Sequence, residues 1–97
     1  MPGQNPFTVN FYSKLREIAG QKTVELSLPG KATVQALVEA VVLRYPQMKD
    51  LLLREDGTLN NKAHFYVNGR DVPFLANAQW TVVSRRDKFD FFPPGHF

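Results

Sequence analysis

Thr33-Val34-Gln35-Ala36-Leu37-Val38-Glu39-Ala40-Val41-Val42-Leu43-Arg44-Tyr45-Pro46 is the stretch in which a helical period is sustained longest. Val34, Leu37, Val38, Val41, Val42 and Tyr45 recur three and four residues apart, so they form one apolar stripe of an amphipathic helix. Thr33 is placed to cap its start, because a threonine hydroxyl accepts from a free N–H of the first turn. Pro46 has no N–H to donate and ends the helix near Tyr45. A helix this short is marginal alone in water. Burying its apolar side chains, at roughly 1.5–3 kcal/mol each, is what would hold it to a sheet.

On the amino side the period drops to two. Phe7, Val9 and Phe11 share one face of a strand ending at Tyr12. Val24, Leu26 and Leu28 share one face of a second strand, Lys22 to Leu28, closed by the turn Pro29-Gly30. Between them, Ser13 to Gly20 is a short connection with a helical turn that Gly20 stops. Met1 to Pro6, with two prolines, a glycine and an asparagine, reads as a loose leader.

On the carboxyl side, Leu51-Leu52-Leu53 anchors a second, shorter helical piece, and Glu55-Asp56-Gly57 is a turn. Ala63 to Asn68 is a third strand with Ala63, Phe65 and Val67 inward, and Asn68-Gly69 is a tight-turn signal. Asp71 to Leu75 suits a short edge strand, where Pro73 is tolerated. A loop through Trp80 to Arg86 leads to the last strand, Lys88 to Phe92, and Pro93-Pro94-Gly95 ends pairing. The order is two strands, a helix, then more strands. The expectation is an α+β chain, a mixed sheet of four to five strands with one main helix on one face. The β-grasp (ubiquitin-like) fold is such an arrangement. Residues 1–97 read as a single domain, with 93–97 as a carboxyl-terminal tail.

Composition narrows the function. Apolar residues at 43% and charged residues at 22% are ordinary globular values, so disorder and fibres are excluded. With no cysteine there is no disulfide, thiolate metal site or cysteine nucleophile, which suits a reducing compartment such as the cytoplasm. MPGQNPFTVNF lacks the features of a secretory signal, and the apolar run Ala40 to Leu43 is far short of a membrane span. A net charge of +3 implies solubility and little more.

Alternation also places Tyr12, His64, Tyr66 and Phe92 on the face without the helix. Aromatic residues there mark a contact surface, or else a second small core beneath a loop. Arg85, Arg86 and Lys88 form a basic cluster near the tail, either steering an acidic partner or simply solvated. Three clustered cations are too few for a nucleic-acid footprint. His64 and His96 have no Asp or Glu at ligand spacing, so no metal is expected. Gly57, Gly69 and Gly95 are isolated and form no phosphate loop. Ser13, Ser27 and Ser84 have no evident base beside them, and Trp80 reads as a loop anchor packed on the core. No self-contained active site is expected.

Four segments, in order, resemble one family. These are Phe11-Tyr12 with Leu15 to Gly20; Thr33-Val34 with Leu37 and Tyr45-Pro46; Val67-Asn68-Gly69 with Asp71-Val72; and Asp87-Lys88-Phe89-Asp90-Phe91-Phe92-Pro93-Pro94. From Phe7 to Pro94 the chain resembles the small sulfur-carrier subunit of molybdopterin synthase and its thiamine-pathway cousin. The resemblance implies a flexible carboxyl end finishing in two glycines. An adenylating (E1-like) partner activates that end with ATP and it becomes a thiocarboxylate. Its sulfur then passes, with a molybdopterin synthase large subunit-like partner, to a molybdopterin or tungstopterin precursor. No cofactor is bound by the carrier itself. Tyr12, Tyr66, Phe92, Pro93, Pro94 and Gly95 are the partner-binding residues implied by the outer face and the approach to the tail. The aromatic face also permits a homodimer. Glycine suits such a tail because it passes narrow channels and adopts unusual backbone angles. Here Gly95, His96 and Phe97 follow the prolines, so Gly95 becomes the reactive end only if His96 and Phe97 are removed. The alternative is a β-grasp interaction module that no longer carries sulfur.

Overall fold

The computed structural model describes residues 6–95. All of the expected leader except Pro6 lies outside that range, as do His96 and Phe97 of the tail.

Strand β1 (Phe7–Phe11) buries Phe7, Val9 and Phe11 completely, as its alternation requires. Helix α1 (Lys14–Ala19) ends on Gly20, whose left-handed φ of 77° lets its N–H donate to the Arg16 carbonyl at 2.9 Å. Strand β2 (Thr23–Leu26) pairs antiparallel with β1 and stops before Leu28, which is only half-buried. Then come the short strand β3 (Lys31–Thr33) and helix α2 (Val34–Arg44). The Thr33 hydroxyl accepts from the Ala36 N–H at 3.1 Å, the expected cap. Thr33→Ala should lower stability by about 1 kcal/mol while Thr33→Ser changes it little, read from urea midpoints. A 3₁₀ turn at Pro46–Met48 and helix α3 (Lys49–Leu52) follow.

Strand β4 (His64–Val67) turns through Asn68 and Gly69 into β5 (Arg70–Asp71). Both turn residues have positive φ, 53° and 84°, which an asparagine–glycine pair tolerates in a two-residue hairpin. The edge strand expected from Asp71 to Leu75 is cut short. Val72–Phe74 is a 3₁₀ turn, because the Asp71 carboxylate caps it through the Val72 N–H at 2.8 Å and Pro73 has no N–H to pair.

The expected loop from Trp80 to Arg86 also needs correction. It holds strand β6 (Val82–Ser84), which pairs antiparallel with β3 as a separate two-stranded ribbon. Two strands of three residues each are too short for their alternation to stand out. Trp80, expected to anchor on the core, closes a 3₁₀ turn and is 56% exposed.

Strand β7 (Phe89–Phe92) completes the main sheet, which among the described residues has five strands in the order β2-β1-β7-β4-β5. It runs parallel to β1 and antiparallel to β4, so it is the middle strand. One core lies beneath it. Phe7, Phe11, Phe89, Phe91, Leu15 and Leu37 are fully buried there, with Val34, Val38 and Val41 of α2. Buried Gln35, which the apolar stripe passes over, donates to the Gly57 carbonyl at 2.7 Å and ties the 55–58 turn to α2. Among the described residues no helix is long and apolar enough to cross a membrane.

Candidate functional site at the root of the tail

Strands β1 and β7 run side by side with Phe11 opposite Phe91, so Tyr12 and Phe92 emerge together at the same end of the sheet. Their rings stack with centroids 4.3 Å apart and planes within 10°. On the other side His64 stands opposite Phe92 and Tyr66 opposite Asp90. The Tyr66 ring meets Phe92 edge-on at 5.6 Å, and His64 stacks on Tyr66 at 6.0 Å. Tyr12, His64, Tyr66 and Phe92 are each half-buried, so they form one continuous aromatic surface, and among the described residues no loop seals them off. Stacked and edge-on pairs of this kind hold each ring in place.

A carboxylate organises this surface. Asp90 is only 9% exposed, and its Oδ1 accepts from the Tyr12 hydroxyl at 2.8 Å and from Asn10 Nδ2 at 3.1 Å. Asn10 Oδ1 in turn accepts from Thr23 Oγ1 at 2.8 Å, so a line of hydrogen bonds crosses from β2 to β7. The Lys22 ammonium lies 5.1 Å from the Tyr12 ring centre. Asp90 and Asn10 were not singled out in the sequence. Their signal was there, since the alternation that turns Phe92 outward does the same for Asp90.

Asp90 pushes the Tyr12 phenol above its ordinary value, chiefly through their hydrogen bond, with burial and charge repulsion adding to it. The folded chain therefore holds this proton more tightly than the unfolded chain does. The resulting stability is fully present below the ordinary tyrosine pKa and is lost as pH climbs through the raised one. Asp90→Asn should bring the Tyr12 titration back toward the ordinary range. An NMR titration of the Tyr12 ring signals checks this, and an unchanged midpoint would show that the hydrogen bond is not the cause.

Asp71 is the second organising carboxylate. Its Oδ2 lies 2.8 Å from His64 Nδ1, and its Oδ1 accepts from the Phe65 and Val72 N–H groups at 3.3 and 2.8 Å. Sequence spacing does not show this pair, because the β4–β5 hairpin brings together residues seven positions apart. Beside the pair lies a groove of about 560 Å³ with Leu59, Ala63, Phe65 and Val72 in its wall. Among the described residues no three His, Cys, Asp or Glu side chains gather as a metal site.

The remaining expected residues continue the chain outward. Pro93 is buried, Pro94 half-buried and Gly95 exposed with a φ of 71°. The chain therefore leaves a rigid central strand, is still packed at Pro93, and reaches solvent at Gly95. The basic cluster does not sit near this exit. Arg85 and Arg86 precede β7 while the tail follows it, so the strand's length of roughly 13 Å separates them.

The chain matches the model of the ThiS family over residues 9–95. It is 29% identical to small archaeal modifier protein 1 of Haloferax volcanii over 83 residues, 86% of this chain and 90% of that protein. Its fold is similar to the putative molybdopterin converting factor subunit 1 from Pyrococcus furiosus, with 25% identity, a TM-score of 0.71, and 91% of this chain and 95% of that one covered. It is also similar to a chain of the Amycolatopsis orientalis BexX/CysO complex, with 28% identity, a TM-score of 0.75, and 94% and 98% covered.

Proposed function

The chain belongs to the ThiS family, among the small ubiquitin-like sulfur carriers and modifiers, and from that premise we propose that it is a sulfur carrier for molybdopterin or tungstopterin biosynthesis. On this reading it works as a protein co-substrate in the cytoplasm. An adenylating, E1-like enzyme activates its carboxyl end with ATP, and a molybdopterin synthase large subunit-like protein receives its sulfur. The solved relative from Pyrococcus furiosus, a putative molybdopterin converting factor subunit, supports the pterin pathway in particular.

The single observation that carries the proposal is the aromatic surface at the base of the tail. Tyr12, Tyr66 and Phe92 are locked to one another directly before Pro93-Pro94-Gly95. A docked partner held by those rings receives the tail from a fixed point. The search that a flexible chain end makes for a narrow active site is thereby shortened. Asp90 keeps Tyr12 flat on Phe92 and so preserves the surface before any partner arrives.

A second reading is an interaction module that docks by the same face and transfers no sulfur. What favours it is Gly95-His96-Phe97, where a glycine is followed by two ring side chains. A grafted tail tests the docking face on which both readings rest, and the mass of the native carboxyl-terminal peptide separates them. Residues after Pro94 are replaced by a family tail ending in Gly-Gly, and ATP–pyrophosphate exchange is measured with the adenylating enzyme of the same cell. Exchange with the grafted tail supports a docking face suited to activation. No exchange, with the fold intact, overturns that assignment of the face.

A further inference from the structure

We propose that the end of the molecule opposite the tail is a second docking surface, built for an acidic segment of a partner protein. Arg85, Arg86 and Lys88 lie around the turn between β6 and β7. Lys31 stands opposite Ser84 in the ribbon, and Arg70 stands opposite Val67, which itself faces Phe89. The two turns are laced together, since the Asn68 N–H donates to the Lys88 carbonyl at 2.8 Å and the Lys88 N–H donates to Asn68 Oδ1 at 2.8 Å. Five exposed cations thus stand at this end of the molecule on three separate segments.

Among the described residues none of the five lies within ion-pair distance of a carboxylate. The acid in their midst, Asp87, is committed to structure. Its Oδ1 accepts from Asn68 Nδ2 at 3.0 Å and its Oδ2 from the Ser84 N–H at 2.9 Å. Neighbouring charges closer than the screening length of about 8 Å reinforce one another, so the patch attracts anions more strongly than a scattered charge of +3 would.

The choice of a protein over a nucleic acid rests on an apolar shoulder made by Val82 of the same ribbon and Trp80 of the turn before it. Val82 and Trp80 are 60% and 56% exposed, and Val82 precedes Arg85 on the strand that leads into the cluster. An exposed aliphatic side chain contributes little to reading phosphates. A peptide carrying both apolar and acidic side chains satisfies the shoulder and the cations together. Because β7 separates this surface from the tail, both can be occupied at once. The proposal holds whether or not the tail carries sulfur.

Trp80 is the chain's single tryptophan and reports binding by its fluorescence. The full chain is titrated with a short synthetic peptide of alternating leucine and glutamate, with its leucine–glutamine counterpart, and with a single-stranded RNA oligonucleotide. The glutamate peptide is expected to bind saturably, about tenfold or more tighter than the glutamine one. The double variant Arg85→Glu, Arg86→Glu should lose about tenfold in affinity for it with an unchanged thermal transition. Arg16→Glu, on α1 at the tail end of the sheet, should leave the affinity alone. Tighter binding of the RNA, no saturable binding, or indifference to the charge reversal would each overturn the proposal.

Discussion

Phe91→Ala is expected to destabilise the chain by about 3–5 kcal/mol, the range for removing a buried aromatic ring. Phe91 is fully buried on the middle strand of the sheet. Its ring meets Phe65 edge-on at 5.0 Å and Phe11 at 6.3 Å, so one side chain joins β7 to the strands on both sides. A domain of this size holds only about 5–15 kcal/mol in total, so the variant should be largely unfolded at physiological temperature. Phe91→Leu keeps most of the volume and should cost appreciably less. Urea unfolding of the two variants checks the ranking. A cost near 1 kcal/mol for the alanine variant would show that the strands hold together without this contact.

The second large effect is on binding. Phe92 sits one residue further along β7 but faces the other way, between the rings of Tyr12 and Tyr66. Phe92→Ala removes the centre of that surface. It should cost only about 1 kcal/mol in folding, since the ring is half-buried and aromatic pairs such as those with Tyr12 and Tyr66 are each of modest energy. If the surface is the docking face, affinity for the adenylating partner should fall by at least about 2 kcal/mol, roughly thirtyfold, as expected at the centre of an interface. Tyr66→Ala at the flank should lose less. Calorimetric titration and thermal unfolding of the same preparations keep the two effects apart. A variant that binds normally would move the interface elsewhere.

The features legible in the sequence share a physical cause. Helix α2 was readable because its stripe is long and its ends carry a threonine cap and a proline stop, all local signals. Strands β1, β4 and β7 were readable because large aromatic and aliphatic side chains alternate with polar ones, and a slip of one residue would bury the wrong set. The aromatic surface followed from the same alternation.

What stayed hidden depends on pairing between distant segments. Ribbon β3–β6 joins residues some fifty positions apart through strands too short to show a period. Trp80 is large and apolar, so composition placed it inside, yet the 3₁₀ turn before β6 leaves it in solvent. The carboxylates of Asp71 and Asp90 look like ordinary surface acids until the sheet brings His64 and Tyr12 to them. The basic cluster was close to the tail in number and far from it in space, because a whole strand intervenes.

The account turns on a reactive group at the carboxyl end, presented by the aromatic surface of β1, β4 and β7. The direct measurement is the mass of the carboxyl-terminal peptide of this protein recovered from its own cells. The sulfur-carrier reading predicts a population ending in a glycine thiocarboxylate, shown by the exchange of one oxygen for sulfur. A peptide that always ends in an unmodified Phe97 would contradict it.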